Sequence, residues 1–148
     1  MPKLFLLCGL PGSGKTTRAK EIERDASALR LTPDDWMHRL HFDGYDETAR
    51  ARVEALQWDV AARALQLGMN VVLDFGLWSK QERDDFRAHA KALGAETELR
   101  FLDVPRYELL RRLKVRNAAS PPGTFPVEEA HLDEWSGIFQ PPSAEELA

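Results

Sequence analysis

Residues 4–17 read LFLLCGLPGSGKTT, an apolar run that leads directly into a turn rich in glycine. The run is typical of a central parallel strand, whose side chains are buried on both faces of the sheet. Residues 9–16 match the phosphate-loop pattern GxxxxGK(S/T), and this pattern indicates nucleotide binding when a strand precedes it and a helix follows. Both conditions are met, because a helical pattern continues from Lys15. The stretch therefore predicts a nucleotide-binding loop over residues 9–17.

The residue types in this loop follow from the chemistry of phosphate binding. Glycines let backbone N–H groups turn inward around phosphate oxygens without a side-chain clash, and the helix that begins at Lys15 directs its positive dipole end at the same anion. Lys15 supplies a cation for the β- and γ-phosphates, and Thr16 supplies a hydroxyl for Mg²⁺. We expect ATP and Mg²⁺ as cofactors, although the loop does not read the base and leaves GTP open. The expected nucleotide-binding residues are Gly9, Gly12, Ser13, Gly14, Lys15, Thr16 and Thr17.

The composition is that of an ordinary globular chain, with 148 residues, of which 43% are hydrophobic and 30% charged. This length predicts one domain over residues 1–148, with a lid region at about 106–126 and a C-terminal helix and tail at about 127–148. The net charge of -4 argues against a protein that follows long stretches of nucleic acid, since such proteins usually carry a basic field. Cys8 is the only cysteine, so an internal disulfide is excluded and we expect a buried thiol.

The sequence pattern does not indicate export or membrane insertion. The first apolar run, residues 4–10, is short and leads into the glycine-rich turn rather than a cleavage site. No segment reaches the roughly 18 apolar residues that a membrane span requires. We therefore expect a cytoplasmic protein without a membrane partner. Nothing in the pattern indicates an oligomeric state.

Strand patterns alternate with helix patterns along the chain, which predicts an α/β fold with a parallel sheet of about four to five strands and helices on both faces. Strands are predicted at 4–8, 28–31, 70–73 and 97–104, and helices at 15–24, from 33, 46–67, 79–94, 105–117 and 127–138. In the longest helix the apolar stripe is Ala49, Val53, Leu56, Val60, Ala64 and Leu67. Thr32, Asp46 and Ser79 are predicted helix caps, the last in a capping box with Glu82. The tail from residue 141 is expected to fray or fold back.

Acidic residues follow two of the predicted strands, at the edge where parallel sheets bind their ligands. Asp34 and Asp35 come just after the second strand, in the first turn of a helix. Either could accept a proton from a substrate hydroxyl, or both could simply favour the helix dipole. Asp74 ends the third strand, where a carboxylate can hold Mg²⁺ through water or orient an acceptor. The tripeptide DFG at 74–76 also matches a protein-kinase motif, but the chain is too short for that fold and lacks its HRD loop.

Two arginines and two tryptophans are further candidates for the site. Arg112 and Arg116 lie four residues apart on one helix face, before a loop rich in proline and glycine. Arginines on a mobile lid can neutralise charge on a transferring phosphoryl group, and a solvated basic face is the alternative. Trp36 follows the aspartate pair and Trp78 follows the third strand, so each could line a substrate pocket or pack in the core.

Together these motifs resemble the zeta-toxin, polynucleotide-kinase-like and chloramphenicol-phosphotransferase-like group of P-loop kinases, which are AAA_33-type ATP-binding proteins. The stretch GLPGSGKTT at 9–17 is similar to the nucleotide loop of that group, and TPDDW at 32–36 is similar to the segment with its general base. The stretch LDVP at 102–105 resembles the strand before the lid helix. The resemblance spans about residues 3–117. It implies a P-loop kinase fold, Asp34 as general base, and Arg112 and Arg116 as lid arginines.

One position departs from the pattern of the polynucleotide kinases in that group. They carry an arginine three residues after the base aspartate, where it grips the acceptor phosphate, and this sequence has Met37 there. Arg39 is close in sequence but points to another helix face. Chloramphenicol-phosphotransferase-like enzymes of similar build phosphorylate hydroxyls of small molecules. The resemblance and the acidic balance therefore favour a small-molecule acceptor over nucleic acid.

Three functions are compatible with these residues. The first is a phosphotransferase that moves the γ-phosphoryl group of ATP to a hydroxyl of a small organic acceptor. The second is a polynucleotide 5′-hydroxyl kinase, and the third is a regulatory module that binds nucleotide and hydrolyses it slowly or not at all. For the first function, the catalytic candidates are Asp34, Lys15, Arg112 and Arg116, the metal candidates are Thr16 and Asp74, and the substrate candidates are Asp35, Trp36 and Trp78.

Overall fold

Four parallel strands form one sheet in the order β2-β3-β1-β4, in a computed structural model that describes residues 1–148. The strands are β1 (Lys3–Cys8), β2 (Ala28–Leu31), β3 (Asn70–Gly76) and β4 (Glu96–Phe101). The helices are α1 (Lys15–Ala26), α2 (Pro33–Arg39), α3 (Glu47–Gln66), α4 (Lys80–Ala92), α5 (Arg106–Ala119), α6 (Glu129–Ile138) and α7 (Ala144–Leu147). The predicted α/β class with a parallel sheet is confirmed. None of the seven helices combines the length and the apolar character that crossing a membrane requires.

Strand β1 lies inside the sheet and alternates its side chains between two apolar layers. Leu4 and Leu6 pack with α3 and α4, whereas Phe5 and Leu7 pack with α1. Each leucine buried in this way contributes about 2 kcal/mol to the free energy of unfolding. Helices therefore cover both faces of the sheet, as predicted. The thiol of Cys8 at the end of the strand is buried, also as predicted.

Pairing with β1, which ends where the phosphate loop begins, determines where the neighbouring strands end. Strand β4 ends at Phe101, three residues before the predicted end, because its partner Cys8 is the last residue of β1. Strand β3 instead runs to Gly76, beyond the predicted end at Asp74, because a shift in register lets Gly76 pair with Cys8. Both differences arise from pairing with β1 rather than from the local sequence.

Helix α3 buries a different face from the predicted one. Leu56 and Leu67 are 55% and 64% exposed, and Val60 is also exposed. The residues that α3 buries are Ala49, Val53, Gln57, Ala61, Ala64 and Leu65. Gln57 is buried where the prediction had Leu56. Since each residue turns an α-helix by about 100°, the buried face of this part of α3 is rotated by one residue from the predicted face. The prediction was wrong for half of the stripe, because Gln57, Ala61 and Leu65 turn inward instead of Leu56, Val60 and Leu67.

The helix ends are mostly close to those predicted. Asp46 caps α3 by accepting from Ala49 N at 3.0 Å, and Ser79 accepts from Glu82 N at 3.1 Å. The capping box is incomplete, because the Glu82 carboxylate accepts from the Ser79 hydroxyl instead of the backbone N–H. Helix α5 packs on α6 through a third apolar cluster that reaches Leu10 of the phosphate loop. This packing holds α5 above the loop.

Candidate active site

A cleft of about 730 Å³ opens where the strands end at their carboxyl edge. It is lined by the phosphate loop, by helices α2, α3, α5 and α6, and by residues 121–125. Of the sequence candidates, the cleft is lined by Gly12, Gly14, Lys15, Thr16, Thr17, Asp34, Asp35, Asp74, Trp78, Arg112 and Arg116. Gly9 and Ser13 do not line the cleft, and Trp36 lies outside it.

The phosphate loop has the shape that an anion requires. Gly12 and Gly14 have φ values of +86° and +93°, which side chains rarely adopt. A Cβ on Gly12 would lie 3.0 Å from Leu113 Cγ, and one on Gly9 would lie 2.7 Å from Ser13 Oγ. The hydroxyl of Ser13 is buried and has no hydrogen-bond partner. A loop whose backbone requires glycine at these positions can turn its N–H groups toward a bound phosphate.

Lys15 lies between the loop and two carboxylates. Its ammonium donates to Leu10 O at 3.3 Å. Burial lowers the pKa of Lys15, and the negative charges of Asp74 and Asp34 oppose that shift. The ammonium is thus poorly solvated and only partly compensated, so a phosphate anion beside it would be strongly favoured.

A carboxylate and two hydroxyls form the floor of the cleft. Asp74 Oδ2 accepts from Thr16 Oγ1 at 2.7 Å and from Thr32 Oγ1 at 3.1 Å. Burial raises the pKa of Asp74, and the positive charge of nearby Lys15 only partly opposes that shift. Thr32 begins α2 but makes no side-chain cap, contrary to the prediction, because its hydroxyl is used here. Oxygen ligands of this kind suit Mg²⁺, so Thr16 and Asp74 fit the metal that the sequence predicted.

The two aspartates of α2 have different partners. Asp34 forms a 2.7 Å ion pair with Arg50 of α3. Asp35 accepts from Arg30 at 2.7 Å, and the same guanidinium donates to Thr32. The carboxylate of Asp35 is thus held by a structural network around the start of α2, whereas Asp34 is held by the neighbouring helix α3.

Two of the four arginines of α5, Arg112 and Arg116, line the cleft. Arg112 donates to Gly12 O at 3.3 Å and to Glu108 at 3.0 Å. Arg116 has a buried Nε without a hydrogen-bond partner. Burial lowers the pKa of Arg116, while the charge of Asp34 opposes this shift. An enclosed guanidinium with a free donor and a carboxylate nearby is ready to receive an anionic oxygen.

Arg50 and Glu54 are two of the charged cleft residues that sequence reasoning missed. Both lie on α3, four residues apart and therefore on one helix face. Burial raises the pKa of Glu54 to about 7, and the charge of Arg50 acts in the opposite direction. The four-residue spacing was a signal, but it does not tell which face of α3 turns toward the cleft.

The tryptophans predicted to line a pocket divide between two environments. Trp78 lines the cleft, and its indole Nε1 donates to Gly9 O at 3.3 Å. Trp135, which sequence reasoning did not single out as a pocket residue, lies beside it with ring centroids 5.5 Å apart. Trp36 instead packs against an apolar cluster around Met37 and borders a smaller groove. Met37 is 1% exposed, so the position where polynucleotide kinases carry an arginine is part of the core here.

Comparisons with known proteins identify the family and the fold of the chain. A family model described as an AAA domain, AAA_33, matches residues 4–142. The chain is similar to a chain of the Pnkp1/Rnl/Hen1 RNA repair complex, with 24% identity over 93% of this chain and 43% of that chain and a TM-score of 0.78. It is similar to the Mycobacterium tuberculosis APS kinase CysC, solved with AMPPNP and APS, with 26% identity over 80% and 75% of the two chains and a TM-score of 0.63.

A third similar structure is Chaetomium thermophilum Kti12 in complex with ADP-AlF3, with 20% identity over 96% of this chain and 82% of that chain and a TM-score of 0.71. The chain spans less than half the length of the RNA-repair chain that it matches. The family match covers nearly all of the chain, and the TM-scores show that the neighbours share its fold. The chain therefore belongs to the AAA_33 family and has the P-loop kinase fold.

Proposed function

We propose that this protein is an ATP-dependent phosphotransferase that moves the γ-phosphoryl group to a hydroxyl of a small organic acceptor. The observation that carries the proposal is that Asp34, Arg112 and Arg116 line the same cleft as the phosphate loop. Nucleotide binding alone needs the loop, whereas transfer also needs a base for the acceptor and cations for the transferring group.

The donor side of the cleft binds and orients the triphosphate. The loop amides and Lys15 contact the β- and γ-phosphates, and Arg112 and Arg116 close over the γ-phosphate from α5. Thr16 and Asp74 would hold Mg²⁺, which supplies positive charge to the phosphate oxygens. We regard α5 and the following loop, about residues 106–126, as the lid of a single domain over residues 1–148.

The acceptor side removes a proton from the attacking hydroxyl. Asp34 accepts this proton, and Arg50, 2.7 Å from its carboxylate, fixes the carboxylate in position. The hydroxyl oxygen forms a bond to the γ-phosphorus while the bond to the β–γ bridging oxygen breaks, and ADP leaves. Lys15 and Arg116 neutralise the charge that spreads over the phosphoryl oxygens during this step.

The lining of the cleft favours an acceptor that is neutral or weakly cationic. Besides Asp34 it includes the acidic side chains of Glu54, Glu82 and Glu134 and the rings of Trp78 and Trp135. The guanidinium of Arg50 is already paired with Asp34, and Arg112 and Arg116 are assigned to the phosphoryl group. Aromatic rings bind the apolar face of a small alcohol, whereas a polynucleotide needs free cations for its phosphates.

A polynucleotide 5′-hydroxyl kinase is the second candidate, supported by the similarity to a chain of an RNA repair complex. The test is to incubate the protein with γ-labelled ATP and, separately, with 5′-hydroxyl oligonucleotides and with a panel of small alcohols, nucleosides and antibiotics. Labelling of a small alcohol that Asp34→Asn abolishes supports the proposal. Labelling of oligonucleotides that is lost as salt is raised supports the second candidate. Tight ATP binding without any labelled product supports a regulatory module.

A further inference from the structure

The residue that follows strand β3 has an unusual backbone. Leu77 has a φ of +49°, next to Gly76 at +86°, and its side chain is 1% exposed. A buried leucine keeps this left-handed conformation only when its surroundings impose it. The turn directs Trp78 into the cleft, where its indole donates to Gly9 O at the start of the phosphate loop.

Two groups hold the carbonyl of this strained residue. Arg83 of α4 is fully buried, and its Nη1 donates to Leu77 O at 2.8 Å. The thiol of Cys8, the last residue of β1, donates to the same oxygen at 3.3 Å. The carbonyl is therefore fixed from a helix on one side and from the central strand on the other.

Glu146, near the C-terminus, holds Arg83 in turn. The Nε and Nη2 atoms of Arg83 donate to the two carboxylate oxygens of Glu146, with Nε 2.9 Å from Oε1 and Nη2 3.2 Å from Oε2. Arg87 donates to Oε1 at 2.8 Å, and the side chain of Glu146 is only 6% exposed. Gln140 adds a second attachment, because its N–H donates to Trp78 O at 2.8 Å and its side chain accepts from Lys80 N at 3.0 Å.

We propose that Arg83 and Glu146 are positioning residues for the cleft, and that residues 140–146 form a C-terminal clamp on the turn that carries Trp78. The clamp contacts neither nucleotide nor acceptor. It holds Leu77 in its strained conformation, and this sets the place of the Trp78 ring and of the first glycine of the phosphate loop. A buried ion pair is weak evidence for stability alone, because an apolar pair of similar volume often serves as well. Only an arginine can bind a carboxylate with one edge and a backbone carbonyl with the remaining nitrogen.

The test compares Glu146→Gln with Glu145→Gln, which changes the adjacent, exposed carboxylate. Hydrogen exchange of the Trp78 indole N–H, assigned with Trp78→Phe, reports on the turn, and calorimetry with Mg·ATP reports on the loop. In Glu146→Gln we expect indole exchange to be about tenfold faster through local opening and Mg·ATP affinity to fall several-fold. Neither should change in Glu145→Gln.

Arg83→Lys provides a second variant that keeps the positive charge. A single ammonium cannot reach both Glu146 and Leu77 O, so indole exchange should again be faster. Unchanged exchange in Glu146→Gln would overturn the proposal. An equal acceleration of the indole and of the β1 amides would also overturn it, because the pair would then act on global stability. The proposal rests on the proposed function only through nucleotide binding. If the wild-type protein fails to bind Mg·ATP, the proposed function is wrong, and the exchange measurement still decides the role of the clamp.

Discussion

Asp34 and Asp35 are adjacent in sequence, and the structure makes them a matched pair for testing the base. Asp34 lies opposite the phosphate loop with Arg50, whereas Asp35 belongs to the network of Arg30 and Thr32. We expect Asp34→Asn to lower phosphoryl transfer by about 100-fold or more, since a general base contributes roughly 10²–10⁴, and to leave Mg·ATP affinity nearly unchanged. Single-turnover kinetics and calorimetry check this, with Asp35→Asn as the control. A larger loss in Asp35→Asn would show that the other aspartate is the base.

Lys15 should affect binding without supporting the fold. Burial lowers its pKa, so the folded protein carries an ammonium that is poorly solvated. We expect Lys15→Ala to weaken Mg·ATP binding by about tenfold or more and to leave the melting temperature unchanged or higher. Thr16→Ala should weaken binding when Mg²⁺ is present. Calorimetry and thermal unfolding check both, with Lys114→Ala, an exposed position on α5, as the control. Unchanged affinity in both loop variants would refute the phosphate-loop assignment.

At the level of elements, helix α5 brings two arginines to the cleft and gives Arg116 no partner for its buried Nε. A buried donor without a hydrogen-bond partner costs folding free energy, so we expect Arg116→Met to raise the melting temperature or leave it unchanged. The same change should lower turnover by about tenfold or more, because lid arginines neutralise the transferring phosphoryl group. Arg111→Met is the control variant, because Arg111 is an exposed arginine of the same helix that pairs with Glu108. Arg116→Met with full turnover would remove this arginine from the mechanism.

The elements also show which features the sequence could predict. The strand and loop over residues 4–17 were predictable because the pattern is local and each residue type has a fixed chemical role. The buried face of α3 was not predictable, because whether Leu56 or Gln57 is buried depends on how the helix packs on the sheet. The roles of Asp34 and of the α5 arginines remain predictions, although the structure places all of them in one cleft.

At the scale of the whole molecule, contacts between residues far apart in sequence hold the helices and the tail in place. The ion pair of Arg83 with Glu146 joins residues 63 positions apart, and no local pattern indicates such a contact. Of the two expectations for the tail, the structure shows that it folds back, because Glu146 is enclosed against Arg83 and Arg87 of α4. Pairing of Arg50 with Asp34 is likewise set by the packing of α3 beside α2.

Two carboxylates should give the folding stability opposite pH dependences in separate windows. Hydrogen bonds from Arg83 lower the pKa of Glu146 from 4.5 to about 2. A lowered pKa in the folded state means that the stabilisation is present above pH 4.5 and is lost as the pH falls toward 2. Burial raises the pKa of Glu54 from 4.5 to about 7, so the folded state keeps a proton that the unfolded chain releases, and stability falls as the pH rises from 4.5 to 7.

Urea unfolding from pH 2 to pH 8 can separate the two effects with one conservative variant each. We expect Glu54→Gln to remove a decline of roughly 1–3 kcal/mol in the free energy of unfolding between pH 4.5 and 7. Glu146→Gln should instead lower stability near neutral pH and flatten the loss below pH 4.5. Glu145→Gln, at an exposed carboxylate, should leave both windows as in the wild type. Burial also raises the pKa of Asp74, so the measured quantity is the part of the decline that Glu54→Gln removes. A decline of full wild-type size in Glu54→Gln would mean that Glu54 is ionised in the folded cleft at lower pH.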